Sequence, residues 1–120
     1  MINNENIDEG NISISQKVNE KTQIISISGK LVYQNMNIAR DEINIIIGNY
    51  DAYILDFTGI TKIDSTGFGL IFSIIKQKAN DSKIAAVVSD PFILELFTIT
   101  KMNQLFPIYP SELVALESLK

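Results

Sequence analysis

Ala52–Ala79 reads AYILDFTGITKIDSTGFGLIFSIIKQKA. Its first six residues, Ala52–Phe57, are a nearly continuous apolar run, the pattern of a strand covered on both faces. From Ser65 onward the period changes: Leu70, Ile71, Ile74, Ile75 and Ala79 fall on one helical stripe, with Lys76 and Gln77 outside it. A doubly buried strand that runs into an amphipathic helix is half of a βαβ unit. The other half follows at once, because Ile84–Val88 (IAAVV) is a second buried strand. The helix between them is therefore a crossover, right-handed by the usual rule, joining parallel neighbours.

Working outward, Pro91 suits the first turn of a helix whose apolar face is Phe92, Ile93, Leu96 and Phe97. Phe106–Tyr109 reads as an edge strand that tolerates Pro107. Ser111-Glu112 then opens a terminal helix carrying Leu113, Val114, Leu116 and Leu119. Upstream, Val32, Met36, Ala39, Ile43, Ile46 and Ile47 form the apolar face of a helix over Val32–Ile47, with Asn35, Arg40, Asp41 and Asn44 opposite and a stop at Gly48-Asn49. Before it, Thr22–Ser28 is a β-branched strand ending at Gly29, and Ile12 and Ile14 alternate with polar neighbours as a half-buried strand. The polar VNEK between these two turns a hairpin, so they pair antiparallel. The expected order is β-β-α-β-α-β-α-β-α: an α/β domain with a mixed, mostly parallel sheet of about five strands and about four helices.

The length of 120 residues suits one domain of ordinary globular composition, 46% hydrophobic and 20% charged. There is no Cys, His or Trp. That removes Ser-His-Asp and Cys-His catalysis, disulfides and conventional zinc sites; no cofactor or metal is expected. A net charge of −4 argues against nucleic acid and against an anionic membrane surface, both of which want surplus Lys and Arg. The apolar runs are far shorter than the ~20 residues that span a bilayer. Met1–Gly10, MINNENIDEG, is polar and acidic without the basic and apolar regions of a signal peptide. It is expected to be a flexible N-terminal tail on a folded domain of residues 11–120, in a cytoplasmic protein.

Burial explains most of this chain, but not Thr61–Leu70, TKIDSTGFGL. Asp64, Ser65 and Thr66 are three N-cap-type residues in a row, and a single cap already contributes about 1 kcal/mol. Gly67 and Gly69 follow inside the first turn and a half, at roughly 0.8–1 kcal/mol each relative to Ala. Two readings of this excess stand side by side. Either Asp64-Ser65 merely caps the helix and the glycines allow close packing, or the partly positive helix terminus is a place where an anion is received. The segment lies where a strand's carboxyl end meets a helix, the usual ligand position in open α/β sheets.

The string IDSTGFGLI after YILDFTGI resembles the signature of STAS domains, above all the bacterial anti-sigma factor antagonists, with D-S-[ST]-G-L-G at a helix start. Ser28-Gly29-Lys30-Leu31 is similar to the family's G-x-L before its first helix, and Lys101–Ser111 to its late turn and short strand. The resemblance covers roughly residues 10–119. Val32 stands where the family often has an acidic residue, and Phe68 replaces the commoner Leu. The resemblance implies a regulator with no catalysis of its own. In that role the unmodified protein binds an anti-sigma factor that is also a serine kinase and so releases the sigma factor. It puts the phosphorylation site at Ser65, with Asp64, Thr66, Gly67 and Phe68 as partner-binding residues. Thr66 is expected to cap the helix rather than to accept phosphate. Phe68 and Phe72 are read as an apolar anchor for the partner or as ordinary core. Lys62 is read as a steering or phosphate-contacting cation or as a merely solvated one.

A second reading makes the domain a non-catalytic scaffold or adaptor subunit of a stress-sensing or transport complex. Asp56 invites comparison with the phosphate-accepting aspartate of receiver domains. It sits inside a strand between Leu55 and Phe57 with no acidic pair after the first strand, which fits a hydrogen-bonded residue near the Ser65 loop better. Nothing in the residues fixes an oligomeric state.

Overall fold

The computed structural model describes residues 11–120; the expected N-terminal tail, 1–10, lies outside the described residues. Strands β1 (Ile12–Asn19) and β2 (Thr22–Leu31) form the antiparallel hairpin. A 3₁₀ turn (Tyr33–Asn35) leads into α1 (Met36–Ile46), followed by β3 (Ala52–Asp56), β4 (Ile60–Ile63), α2 (Ser65–Lys78) and β5 (Lys83–Val87). The chain continues through α3 (Pro91–Ile99), a second 3₁₀ turn (Met102–Gln104), β6 (Ile108–Tyr109) and α4 (Glu112–Ser118). The sheet order is β1-β2-β3-β5-β6, with every pair after the hairpin parallel.

The expected architecture holds, with four helices, but the sheet has six strands rather than five. The additional strand is β4. β2 is ten residues long and pairs with β3 only as far as Ser26↔Asp56; beyond that its end pairs with β4, from Gly29↔Ile60 to Leu31↔Ile63. The handover falls at a register shift between Gly29 and Lys30, and Gly29 adopts φ +93°, a left-handed conformation that favours glycine.

Alternation along the strands sorts the core into two layers. Ile25, Ile27, Tyr53, Leu55 and Ala86 face α1, α2 and α3, where they meet Ala39, Ile43, Ile71, Ile74 and Phe97. Ile24, Ile54 and Val87 face the opposite side and meet Ala115 of α4. Burying a side chain such as Ile71, which is fully enclosed, contributes about 1.5–3 kcal/mol.

Three helix readings need correction, the first in α4, where Leu113 and Val114 are exposed and Ala115 is the buried residue. α1 does not begin at Val32, which is extended; the next three residues make a 3₁₀ turn first. The turn is held by Asn35, which is buried instead of facing solvent, its Nδ2 donating to the Lys30 carbonyl at 2.7 Å. In α3, Ile93 and Phe97, one turn apart, are buried, but Phe92, 100° around the helix from Ile93, points outward and is 64% exposed.

Candidate functional site

The segment Ile60–Leu70 leaves β4, crosses Asp64 and enters α2 at the rim where the parallel strands end. Asp64 is extended (φ −117°, ψ −173°), the conformation that turns an N-cap side chain back over the first helical turn. One carboxylate oxygen accepts from Thr66 N at 3.0 Å, Gly67 N at 3.1 Å and Thr66 Oγ1 at 2.5 Å. The other accepts from Tyr33 N at 3.0 Å. The cap is thus Asp64, and Thr66, two residues into the helix, donates its hydroxyl to that cap instead of serving as one. Burial of Asp64 works against its charge, but the Thr66 hydroxyl and the N–H groups of Tyr33, Gly67 and Thr66 outweigh this and hold its pKa below the usual carboxylate value. The bond to Tyr33 ties the turn after β2 to the start of α2.

Ser65 is the first residue of the helix and is exposed; its hydroxyl is not among the groups Asp64 engages. Gly67 is buried and required by its surroundings. A Cβ there would lie 2.4 Å from the Leu31 carbonyl oxygen and 2.9 Å from Ile63 Cγ1, backbone and core that cannot yield cheaply. Phe68 is core: it is 8% exposed and packs edge-on against Phe97 with ring centroids 5.1 Å apart. The aromatic surface beside Ser65 belongs to Phe72, which is 45% exposed with the Lys76 ammonium 6.0 Å from its ring centroid. Lys62 is exposed on β4. Gln34, Arg40 and Thr66 help line a cleft of about 320 Å³ between α1 and the start of α2. A cleft of about 800 Å³ lies at the other rim, beside the β1–β2 turn, the first residue of β3 and α4, and none of its lining residues belongs to the Ser65 segment.

Asp56 ends β3 and is buried, as a hydrogen-bonded strand-end residue should be, and the side chains it meets are on β1 and α4 rather than on the Ser65 segment. It accepts from Thr58 N at 2.9 Å and meets the carboxyl of Glu112 on α4, which Lys17 of β1 approaches to 2.9 Å. Burial opposes the Asp56 charge, yet hydrogen bonds from Glu112 and Thr58 keep its pKa low. The bond to Asp56, and then burial, push Glu112 up. Sequence reading missed Glu112 and Lys17, whose pairing with Asp56 depends on three separate elements meeting.

A rim site at a βα junction, capped by an aspartate and presenting a serine, on a sheet with this topology defines a class of small α/β domains. The family model for the STAS domain matches residues 13–115, and the chain belongs to the STAS domain family. No curated protein sequence matches it. Among solved structures it is similar to an anti-sigma factor antagonist from Mycobacterium paratuberculosis (16% identity, 90% of this chain and 93% of that one, TM-score 0.83). It is similar also to the anti-sigma factor antagonist SpoIIAA in its unphosphorylated form (19% identity, 89% and 96% covered, TM-score 0.70). The Bacillus cell fate determinant SpoIIAA in its phosphorylated form matches too (19% identity, 90% and 100% covered, TM-score 0.66). At these identities the likeness is one of fold.

Proposed function

We propose that this chain is a phosphorylatable anti-sigma factor antagonist, acting in the cytoplasm without catalysis of its own. Unmodified, it docks on an anti-sigma factor that is a serine kinase and so frees the sigma factor; phosphate on Ser65 prevents docking. The observation that carries this reading is the division of labour at the rim. Asp64 meets the structural needs of the helix start, while the adjoining serine is exposed and not engaged by that cap.

The physical consequences follow from charge. A phosphate adds about −1.5 to −2 at pH 7. The helix terminus favours it by about 0.3–1 kcal/mol, and the neighbouring Asp64 carboxylate opposes it, so the free domain tolerates the modification. Burial in an interface is different. A dianion without matching cations costs several kcal/mol there, and about 1.4 kcal/mol is a factor of ten in affinity. Binding is lost with no change of fold.

The test is incubation with the purified kinase and ATP. Ser65→Ala abolishes labelling, and Ser65→Asp loses at least about 100-fold in affinity while keeping its circular dichroism spectrum. Label persisting on Ser65→Ala, or undiminished binding by Ser65→Asp, overturns the proposal.

A further inference from the structure

The sheet ends at β6 on one side and at β1 on the other, and the two edges are built differently. β6 is two residues long and lies between Pro107 and Pro110, which have no N–H to offer a further strand. β1 is eight residues long, contains no Pro or Gly, and keeps its register with β2 from Ile12↔Gly29 to Asn19↔Thr22 without a bulge. Its one charged residue, Lys17, is paired with Glu112 of α4 at 2.9 Å. Brevity, proline, a bulge and free charge are the usual guards of an exposed edge, and β1 has none of them.

The bonding phase of β1 shows what this edge offers. Lys30 N donates to the Asn11 carbonyl, so Asn11 and its alternates Ser13, Ser15 and Lys17 turn their backbone groups to β2. Ile12, Ile14, Gln16 and Val18 turn theirs outward, and among the described residues no strand receives them. Beside the edge runs an apolar flank. α1 packs on β1 and against α2, and its Arg40 lines the cleft toward Thr66. Ile38 and Ile45 lie about 160° and 140° around the helix from Arg40, on the side of the free edge. Both are exposed, Ile45 to 81%, and so is Val18, which shares the α1 side of β1 with Ile14.

We infer that β1 pairs antiparallel with β1 of a second copy of this chain, about a two-fold axis at Ser15, joining the two sheets edge to edge. The strand is complementary to itself in that register. Ile12 meets Val18 and Ile14 meets Gln16 as bonded pairs, about eight backbone hydrogen bonds in all, and Lys17 meets Ser13, so no like charges face each other. The chain's own residues 1–10, MINNENIDEG, are a poorer occupant, with three acidic and three Asn residues of types depleted in strands. Antiparallel pairing sends the two Ser65 rims to opposite ends of the joined sheet. The inference therefore stands apart from the proposed docking at Ser65 and does not compete with it.

The test is sedimentation velocity of the full chain combined with amide hydrogen exchange. Between about 1 and 200 μM the protein passes from monomer to dimer. In the dimer the amides of Ile12, Ile14, Gln16 and Val18 gain protection, while those of Ser13, Ser15 and Lys17 are slow in both states. Val18→Pro, which spares the bonds to β2, weakens the dimer at least about 30-fold. Ile45→Lys, at a side chain that the free domain leaves exposed, weakens it about tenfold with unchanged melting, and so decides the matter even where Val18→Pro folds poorly. Phe92→Ser on α3 and Ser65→Asp leave it unchanged. Monomer at every concentration overturns the inference, and so does wild-type dimer affinity in Ile45→Lys or in a folded Val18→Pro. Loss of the dimer in Ser65→Asp places the contact at the α2 rim and overturns it as well. Outward amides that are slow in the monomer and become fast on deletion of residues 2–10 overturn it in favour of that segment as occupant.

Discussion

α2 and α3 begin with the same device and differ in what they build on it. Each is capped by an aspartate whose carboxylate accepts from the second and third helical N–H groups: Asp64 from Thr66 and Gly67, Asp90 from Phe92 and Ile93. In α3 the first residue is Pro91, which has no N–H to waste and a preset φ, and the third is Ile93, which is 2% exposed and fills the core. In α2 the first residue is Ser65 and the third is Gly67, pressed against the Leu31 carbonyl. α3 shows what a helix start in this fold looks like when only stability is asked of it. Of the departures of α2 from that pattern, Gly67 answers to close packing against the end of β2, and the exposed Ser65 is the one on which the proposed function rests.

The strongest way to break the comparison is Gly67→Ala. The added methyl meets a backbone carbonyl, so we expect a loss of about 2–4 kcal/mol, read as a lowered urea midpoint at unchanged slope. An unchanged midpoint would show that the turn after β2 yields freely. Next come the two caps. Asp64→Ala removes acceptors from Tyr33 as well as from its own helix and should cost about 2–3 kcal/mol, against about 1 kcal/mol for Asp90→Ala.

Acid sharpens the same contrast. The Asp64 pKa is depressed in the fold, so its contribution is complete above the unfolded value near 3.9 and drains away as pH falls through the lower folded value. In acid melts the gap between wild type and Asp64→Asn should therefore narrow as pH drops through and below 4. A gap constant with pH would mean that the charge contributes nothing. The smallest effect should come from transplanting the α3 start: Ser65→Pro is compatible with the extended Asp64 and should move stability by no more than about 0.5 kcal/mol while deleting the hydroxyl. A large loss would show that Ser65 carries structural weight.

These elements differ in how openly the sequence declares them. β3, β5 and α2 were legible because their apolar periods are long or unbroken, and Asp64 because three cap-type residues precede two glycines. β4 was not: in Ile60–Ile63 only the two ends are buried, which is neither the helical period nor strict alternation, and its partner is the far half of β2. The burial of Asn35 and the reach of Asp64 to Tyr33, 31 residues away in sequence, belong to packing that no local pattern encodes. Phe68 and Phe72 were indistinguishable as letters. Only the phase of α2 against Phe97 sends one inward and leaves the other outside.

The split pairing of β2 has a kinetic corollary. One strand is partner to three others, β1 beside it in sequence and β3 and β4 after a crossover, so three registers are fixed or lost together. A slip of one residue on β2 would turn Ile25 and Ile27 out of one layer and Ile24 out of the other. The assembly nucleus of the domain is expected on this strand, where substitutions at Ile25 and Ile27 should slow folding, whereas truncations in the late-added α4 should chiefly hasten unfolding.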